Sequence, residues 1–296
     1  MTTKLTIALR RYPHTTPILD GAERIDGVDA EFVDIEPIHR AFLPMVRELR
    51  YDVCELAIAT YFQAIEAGVP VVALPVAVHG NFHYRSISTL RDSGLSAADL
   101  AGHRVGVRSY SQTTGLWVRG FLQDDYGVAA KDVTWVTTEP AHVESYREPA
   151  NVTRIDGRLG DALSRGQVDA VLMGRRSTEY SEDFQPLIAD WAARQERFFA
   201  NHQWVPINHV VVTRRELLQS DPDAVRSVYR ALCRGIDGTR TETIATNSAS
   251  RAIQYGTSDT MLTTLGTALR YAREQELIRT DITTSDLFSD FTGIER

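Results

Sequence analysis

Residues that can move protons or hold a carboxylate are concentrated in loops that follow predicted strands. Such loops occupy residues 10–16, 55–60, 79–86, 108–114 and 174–177. Their chemically capable side chains are Arg10, Arg11, Tyr12, His14, Glu55, His79, His83, Tyr84, Arg85, Arg108, Tyr110, Gln112, Arg175 and Arg176. Because ligands of α/β proteins lie beyond the carboxyl ends of the strands, this pattern favours a cleft that binds an anion. Exposed loops collect polar residues in any protein, so a purely structural interpretation also stays open.

Histidine and glutamate are the candidates for proton transfer. His83 and His209 could serve as acid and base because imidazole titrates near neutral pH. Glu55 stands in an apolar run, where burial would raise the pKa of its carboxyl and suit it to carry a proton. Arg85, close to His83, completes the predicted catalytic set. The structural alternatives are a Glu55 that hydrogen-bonds neighbouring backbone and a His209 whose ring is simply satisfied by its surroundings.

Arginine and aromatic side chains are the candidates for substrate binding. A guanidinium can hold a carboxylate through two parallel hydrogen bonds. The arginines in suitable loops are Arg11, Arg85, Arg108 and Arg175. The aromatic residues that could stack on a substrate ring are Tyr12, Tyr84 and Trp117, although Trp117 also belongs to a buried helical stripe. We interpret Arg119 as solvated, and His39 and His142 as surface or structural residues.

The stretch at residues 104–128 predicts a strand, a polar turn and a helix. The strand covers residues 105–107, and Gly127 suits a left-handed cap at the end of the helix. The turn and the first helical residue are Ser109, Tyr110, Ser111, Gln112 and Thr113. Free backbone N–H groups and the positive end of the helix dipole would converge there, which favours binding of a carboxylate or a phosphate. Ordinary N-capping also favours Ser and Thr, so both interpretations apply to this stretch taken alone.

Composition and charge limit the class of function. The 296-residue chain has a formal net charge of −7 and a pI of about 5.6, which argues against nucleic-acid binding. No stretch is apolar for long enough to cross a membrane, and the first residues lack the pattern of a secretory signal, so we expect a cytoplasmic protein. His79 and His83 have a metal-binding spacing, but Gly80 and Asn81 indicate a loop. We therefore predict no metal site, although a catalytic divalent ion stays open.

Strands and helices alternate along the chain, which predicts an α/β protein with mostly parallel sheets. Three stretches then resemble one known family: YDVCELAIATY (51–61), GVRSYSQTTGLWVRGFLQDDYGV (106–128) and VPINHVVVTRRELLQSDPDAVR (205–226). Over nearly its whole length the chain resembles the 4,5-dihydroxyphthalate decarboxylase family, relatives of the type II periplasmic substrate-binding proteins. The resemblance implies two α/β lobes with a central cleft, in which residues 1–98 and 208–296 form lobe one and residues 99–207 form lobe two.

The resemblance also implies an activity, the decarboxylation of a hydroxylated aromatic carboxylate in the cleft without an organic cofactor. One departure concerns the loop after the apolar strand, where the family has a sequence like FRHS and this chain has FHYRS at residues 82–86. The order of histidine and arginine therefore differs, which bears on the substrate rather than on the fold. The alternative is a non-catalytic binding protein for a small organic anion, of the transporter or sensor type. In both cases the partner is a small carboxylate rather than nucleic acid or membrane, and a homo-oligomer stays open.

Overall fold

The structure is a computed structural model that describes residues 2–174, 177–246 and 248–293, without the side chains of residues 240–248. Its strands are β1 (Thr3–Ala8), β2 (Val28–Phe32), β3 (Val53–Ala57), β4 (Val71–Gly80), β5 (Ile87–Leu90), β6 (Arg104–Val107), β7 (Thr134–Thr137), β8 (Val152–Arg154), β9 (Ala170–Leu172), β10 (Phe184–Pro186), β11 (Ile207–Arg214) and β12 (Gln254–Tyr255). Its α-helices are α1 (Thr16–Leu19), α2 (Phe42–Glu48), α3 (Ile58–Glu66), α4 (Thr113–Tyr126), α5 (Leu159–Ser164), α6 (Trp191–His202), α7 (Arg215–Ser220), α8 (Pro222–Thr246), α9 (Asp259–Glu274) and α10 (Ser289–Thr292). The predicted α/β class is confirmed.

Two six-stranded sheets organise the described residues. The first sheet has the strand order β12-β4-β11-β3-β1-β2, and the second has the order β10-β5-β9-β6-β7-β8. In the first sheet β1 is parallel to β2 and β3, whereas β11 is antiparallel to both β3 and β4. In the second sheet β6 is parallel to β7 and β9, whereas β5 is antiparallel to β9 and β10. Both sheets are therefore mixed, which corrects the prediction of mostly parallel sheets, because strands such as β11 return in the opposite direction.

The chain passes from the first sheet to the second and back again. β4 belongs to the first sheet and β5 to the second, so the first crossing lies at residues 81–86 and not near residue 98. The sequence pattern does not reveal β5 because this strand is short and follows a polar loop directly. The chain returns with β11, which begins at Ile207, close to the expected residue 208. We call each sheet, with the helices packed on it, the first lobe and the second lobe.

Helix α4 joins the two lobes through an apolar face. The residues of its predicted buried stripe are all buried, namely Trp117, Val118, Phe121 and Leu122. Gly127 ends the helix in the left-handed conformation at φ +71°, as predicted. At Gly120 helix α9 comes so close that a Cβ atom would lie 2.2 Å from the ring of Tyr271. One apolar cluster extends from Leu56 in β3 through Trp117 to Leu269 in α9, and it fixes the lobes against each other.

Candidate active site

A glutamate on β3 and a histidine on β11 contact each other across these two antiparallel strands of the first sheet. His209 stands opposite Ala57 in the strand register, which places it diagonal to Glu55 on the same face of the sheet. Glu55 Oε1 is 2.5 Å from His209 Nδ1. The Glu55 side chain is fully buried, whereas the His209 side chain is 15% exposed. The pair therefore consists of a buried carboxylate and an imidazole that solvent or a ligand can reach.

Glu55 is an ionised hydrogen-bond acceptor. Burial acts to raise the pKa of its carboxyl, but the hydrogen bond and charge of His209, together with hydrogen bonds from Tyr12 and from the Arg10 backbone, lower this pKa overall. Its Oε1 accepts from the Tyr12 hydroxyl at 2.7 Å, and its Oε2 accepts from the Arg10 N–H at 3.1 Å. The predicted raised pKa of Glu55 is therefore wrong, because three donors surround a carboxylate that the sequence shows only as part of an apolar strand.

Tyr12 belongs to this site as a structural partner of Glu55. Its ring stacks with the ring of His14 at 5.2 Å between centroids and with the ring of His79 at 5.5 Å. His14 Nε2 is bonded to the carbonyl oxygen of Val78 at 3.0 Å. Burial lowers the pKa of His14 to about 4 and that of His79 to about 3, so both rings are neutral at pH 7. These ring contacts occupy Tyr12, which argues against the predicted stacking of Tyr12 on a substrate.

His209 has the surroundings of a proton-transfer residue. Since the ionised Glu55 can only accept, Nδ1 of His209 carries the hydrogen in their bond. No hydrogen bond from the described residues occupies Nε2, which leaves that nitrogen available to a ligand. The ring is held edge-on to Phe42 at 5.2 Å and tilted against His79 at 5.0 Å. A carboxylate that orients an imidazole and stabilises its charged form is the arrangement that general acid–base catalysis needs.

The second lobe contributes the turn before α4. Ser109 and Ser111 are buried and bonded to each other through their hydroxyls at 3.1 Å, and the hydroxyl of the buried Tyr110 donates to the Gln275 carbonyl at 3.0 Å. These hydrogen bonds shape the turn, and the predicted contacts of the three side chains with a substrate stay predictions. Thr113 Oγ1 accepts from the N–H of Ala59 in the first lobe at 3.3 Å.

Gln112 is the residue of this turn that is best placed for a ligand. It is the N-cap residue of α4, and its side chain forms no capping hydrogen bond. Its amide oxygen is buried and has no hydrogen-bond partner among the described residues. Gln112 and Arg108 both line a cavity of about 460 Å³ that also borders Met173 and Gly174.

Arg108 is a half-buried cation beside this cavity. Its Nη1 donates to Nε2 of His39 at 3.0 Å, and its Nε lies 3.3 Å from Glu139 Oε2. His39 is neutral because burial, and then the charge of Arg108, lower its pKa to about 4.

His142 approaches Arg108 from the same side as His39, with Nδ1 2.9 Å from Thr60 Oγ1 and its ring edge-on to Phe42 at 5.8 Å. Burial and the charge of Arg108 also keep His142 neutral, with a pKa of about 4.

Other predicted site residues lie elsewhere. His83 is buried, with Nε2 bonded to Asn208 Oδ1 at 2.8 Å and Nδ1 3.4 Å from Ser86 Oγ, so its ring supports the strand that carries His209. Arg85 stacks on Trp191 at 4.6 Å and lines a separate cavity of about 790 Å³.

Arg11, Tyr84 and Arg175 were also candidates for substrate binding. Arg11 forms an exposed ion pair with Asp20 at 2.6 Å, outside the Glu55–His209 site. Tyr84 is buried and stacks on Phe121 at 4.6 Å, so one face of its ring is already covered. Arg175 lies outside the described residues, and its role stays a prediction.

His39 and His142 were not among the predicted site residues. His39 follows β2 in a short 3₁₀ helix (Ile38–Ala41), and His142 lies in the loop after β7, so both come after strands. The rule that ligands gather beyond strand ends would have found both, had it been applied to every predicted strand. The sequence offers no sign that either ring approaches the cleft, because neither has a motif around it.

Two features are absent from the described part of the chain, a metal-binding cluster and a membrane-spanning helix. No three His, Cys, Asp or Glu side chains within it are arranged to hold a metal ion. A catalytic divalent ion therefore stays an open prediction. Within the same residues no helix combines the length and the apolar character that a membrane crossing requires.

Proteins of known activity are similar to this chain in sequence. No model of a protein family matches it. The 4,5-dihydroxyphthalate decarboxylase of Comamonas testosteroni is 33% identical over 240 residues, which are 74% of this chain and 70% of that protein. The 4,5-dihydroxyphthalate decarboxylase of Pseudomonas putida is 36% identical over 189 residues, which are 60% of this chain and 73% of that protein.

Solved structures show the fold. The aliphatic sulphonate binding protein SsuA of Escherichia coli superimposes with a TM-score of 0.59 at 14% identity, over 98% of this chain and 97% of that chain. A Candida albicans protein with the generic periplasmic binding protein fold gives 0.54 at 15% identity, over 99% and 95%. The desulfurization enzyme DSZB gives 0.53 at 13% identity, over 99% and 100%. The chain thus has a periplasmic-binding-protein fold, and by its sequence it belongs to the 4,5-dihydroxyphthalate decarboxylase family.

Proposed function

We propose that the protein is a carboxy-lyase that decarboxylates a hydroxylated aromatic carboxylate of the 4,5-dihydroxyphthalate type between its two lobes. The observation that carries the proposal is the bond between the buried Glu55 carboxylate and His209, whose Nε2 is available to a ligand. Binding alone would not need such a pair. The two relatives named as 4,5-dihydroxyphthalate decarboxylases support the same activity.

The chemistry requires a proton at one ring carbon. Direct loss of carbon dioxide would leave an aryl carbanion without an electron sink. In the easier route, a phenol oxygen para to the carboxylate pushes electron density into the ring, and the carbon bearing the carboxylate takes up a proton. The bond from that carbon to the carboxylate then breaks, its electron pair restores the aromatic ring, and carbon dioxide leaves. One proton is consumed for each carbon dioxide released.

His209 is the residue we assign to this proton transfer. The imidazolium form delivers the proton from Nε2 to the ring carbon, and solvent returns it after the product leaves. Glu55 holds Nδ1–H throughout and stabilises the charged ring without giving up its own negative charge. A proton transfer by a placed side chain accelerates a reaction by roughly 100- to 10,000-fold. His79 is neutral and lies 5.0 Å from His209 between ring centroids, so it adds no charge beside the proton donor.

The substrate carboxylates are assigned to the second lobe. Arg108 supplies a guanidinium, and Gln112 lies beside it at the N-terminus of α4, where backbone N–H groups are free. His39 accepts from Arg108 without neutralising its charge, because the His39 ring is itself neutral. This division leaves proton transfer to the first lobe and anion binding to the second.

A non-catalytic binding protein is the second candidate, favoured by the likeness to a sulphonate-binding protein. The likeness to DSZB, described as a desulfurization enzyme, shows that the fold also occurs in an enzyme. Incubation of the purified protein with dihydroxyphthalates and dihydroxybenzoates, while carbon dioxide release and heat of binding are followed, separates the two. Turnover of a dihydroxyphthalate supports the lyase, and tight binding without turnover across the panel supports the binding protein. A cytoplasmic location and a homo-oligomeric state stay predictions.

A further inference from the structure

A buried arginine lies beneath the turn that precedes α4. Arg119 is 1% exposed, in contrast to the interpretation from sequence that it is solvated. That interpretation is wrong because Arg119 occupies the inner face of α4 beside Trp117 and Leu116, which are also fully buried. Side chains of a helix point towards its N-terminus, so the guanidinium extends back below the first turn. Its Nη1 would lie 2.9 Å from a Cβ atom added at Gly115.

The guanidinium contacts the turn and the end of helix α9. Its Nη2 donates to the Tyr110 carbonyl at 2.7 Å, and its Nε donates to Gln275 Oε1 at 2.7 Å. Its central carbon lies 4.1 Å from the centroid of the Tyr110 ring and 5.1 Å from that of Trp135. Gln275 also accepts from the Tyr110 hydroxyl and donates to the Leu116 carbonyl at 2.9 Å. Arg119 therefore fixes the turn from below and ties it to α9.

No acidic side chain balances this charge within the described residues. Its guanidinium lies against the neutral rings of Tyr110 and Trp135, and its Nη1 has no hydrogen-bond partner there. Buried cations are ordinarily paired, because the transfer of a lone charge out of water is costly. Two aromatic rings lessen that cost only in part. Because a guanidinium stays protonated in proteins, Arg119 keeps its positive charge next to the turn where we place the substrate anion.

We propose that Arg119 is a positioning residue whose buried charge and hydrogen bonds prepare the turn at residues 109–113 to bind an anionic substrate. The charge adds to the positive end of α4, and the contacts with Tyr110 hold the turn in its binding conformation. The inference rests on the anion site of the proposed function but not on the chemistry of decarboxylation. It is therefore tested by binding, with a probe that cannot react in the same way.

Phthalate, which lacks the phenol groups, is the probe, and its dissociation constant is measured by calorimetry for the wild type, Arg119→Met and Arg119→Lys. Removal of one charge near a partly screened anion should raise this constant by about tenfold in Arg119→Met. Arg119→Lys keeps the charge and should recover most of the affinity. Arg270→Met is the matched control, because Arg270 of α9 contacts Asp124 of α4 at 2.6 Å on the exposed side. The control should bind phthalate within about twofold of the wild type.

Four results would overturn the inference. They are an Arg119→Met protein that binds like the wild type, an Arg119→Lys protein that binds no better than Arg119→Met, an equal loss in Arg270→Met, and a wild type that does not bind phthalate. If Arg119→Met does not fold, Arg119→Gln replaces it with the same expected loss, because it also removes the charge while its amide can take the place of the Nε hydrogen bond to Gln275 Oε1. A wild type that binds phthalate but releases no carbon dioxide from any dihydroxyphthalate would refute the lyase and leave this test intact.

Discussion

Glu55→Gln tests the proton-transfer pair with the smallest change of shape. Three donors point at the Glu55 carboxylate, from Tyr12, His209 and the Arg10 backbone. A glutamine side chain has one oxygen and one NH₂ group, so its NH₂ must face at least one of these donors. If it faces His209, the imidazole is driven to accept at Nδ1 and to carry its hydrogen on Nε2. If it faces Arg10, the oxygen remains on His209 but without a negative charge.

Both orientations of the glutamine amide weaken His209 as a proton donor. The imidazolium would lose the buried carboxylate that stabilises it, and part of the population would hold the wrong tautomer. We expect kcat to fall by about 100- to 10,000-fold, which corresponds to ~3 to 5 kcal/mol in the barrier. KM should change by less than about threefold, since we assign the substrate carboxylates to Arg108 and Gln112 in the other lobe.

The assay is carbon dioxide release at saturating substrate, with the dissociation constant of phthalate measured in parallel. Asp52→Asn is the matched control, because Asp52 lies directly before β3 and forms an ion pair with Arg214 at the end of β11, away from the cleft. It should lower the free energy of unfolding by a similar amount, on the order of 1 to 3 kcal/mol, and leave kcat within about twofold. A Glu55→Gln protein with wild-type kcat, or equal losses of kcat in both variants, would refute the reasoning.

Two further predictions concern the buried histidine and the arginines. Burial lowers the pKa of His83 to about 4, whereas the ordinary pKa of histidine is about 6.5. Between these two pH values the unfolded chain binds a proton at His83 that the folded protein does not bind. The stability contributed by the neutral ring is therefore complete above pH 6.5 and is lost as the pH falls towards 4. Urea unfolding between pH 7 and 4.5 should therefore be less pH-dependent in His83→Gln, by up to ~1.4 kcal/mol per pH unit, and an unchanged slope would contradict the assignment. Arg108→Met should raise KM by about tenfold or more, whereas Arg85→Met should leave kcat/KM within about twofold because that side chain stacks on Trp191. Steady-state kinetics measure both, and the reverse order of effects would show that the arginine of the 82–86 loop is the one that binds substrate.

Much of the fold follows from local patterns in the sequence. The buried stripe of α4 and the glycine cap at Gly127 are visible because helical spacing and a left-handed cap leave direct marks. β5, β8 and β10 are three or four residues long, too short for an alternating pattern to stand out. The mixed direction of the sheets depends on which strand enters beside which, and a linear pattern does not contain that information.

The candidate site was predictable only in part. Glu55, His209, Arg108 and the turn before α4 follow from strand ends and the family resemblance, but their protonation and partners depend on contacts between distant parts of the chain. Arg119 illustrates the limit, because an arginine in a helix is usually solvated and only the packing of α9 reveals its burial. His83 shows the opposite error, because a histidine predicted to transfer a proton is buried and bonded to Asn208 instead.

The most direct test of the central claim is the rate of carbon dioxide release from a dihydroxyphthalate by His209→Gln at saturating substrate. Glutamine keeps a polar side chain at this position but cannot deliver a proton. We expect kcat to fall by about 100-fold or more relative to the wild type, while phthalate binds within about threefold of the wild-type affinity. A His209→Gln protein that releases carbon dioxide at the wild-type rate would contradict the assignment of His209 as the proton donor.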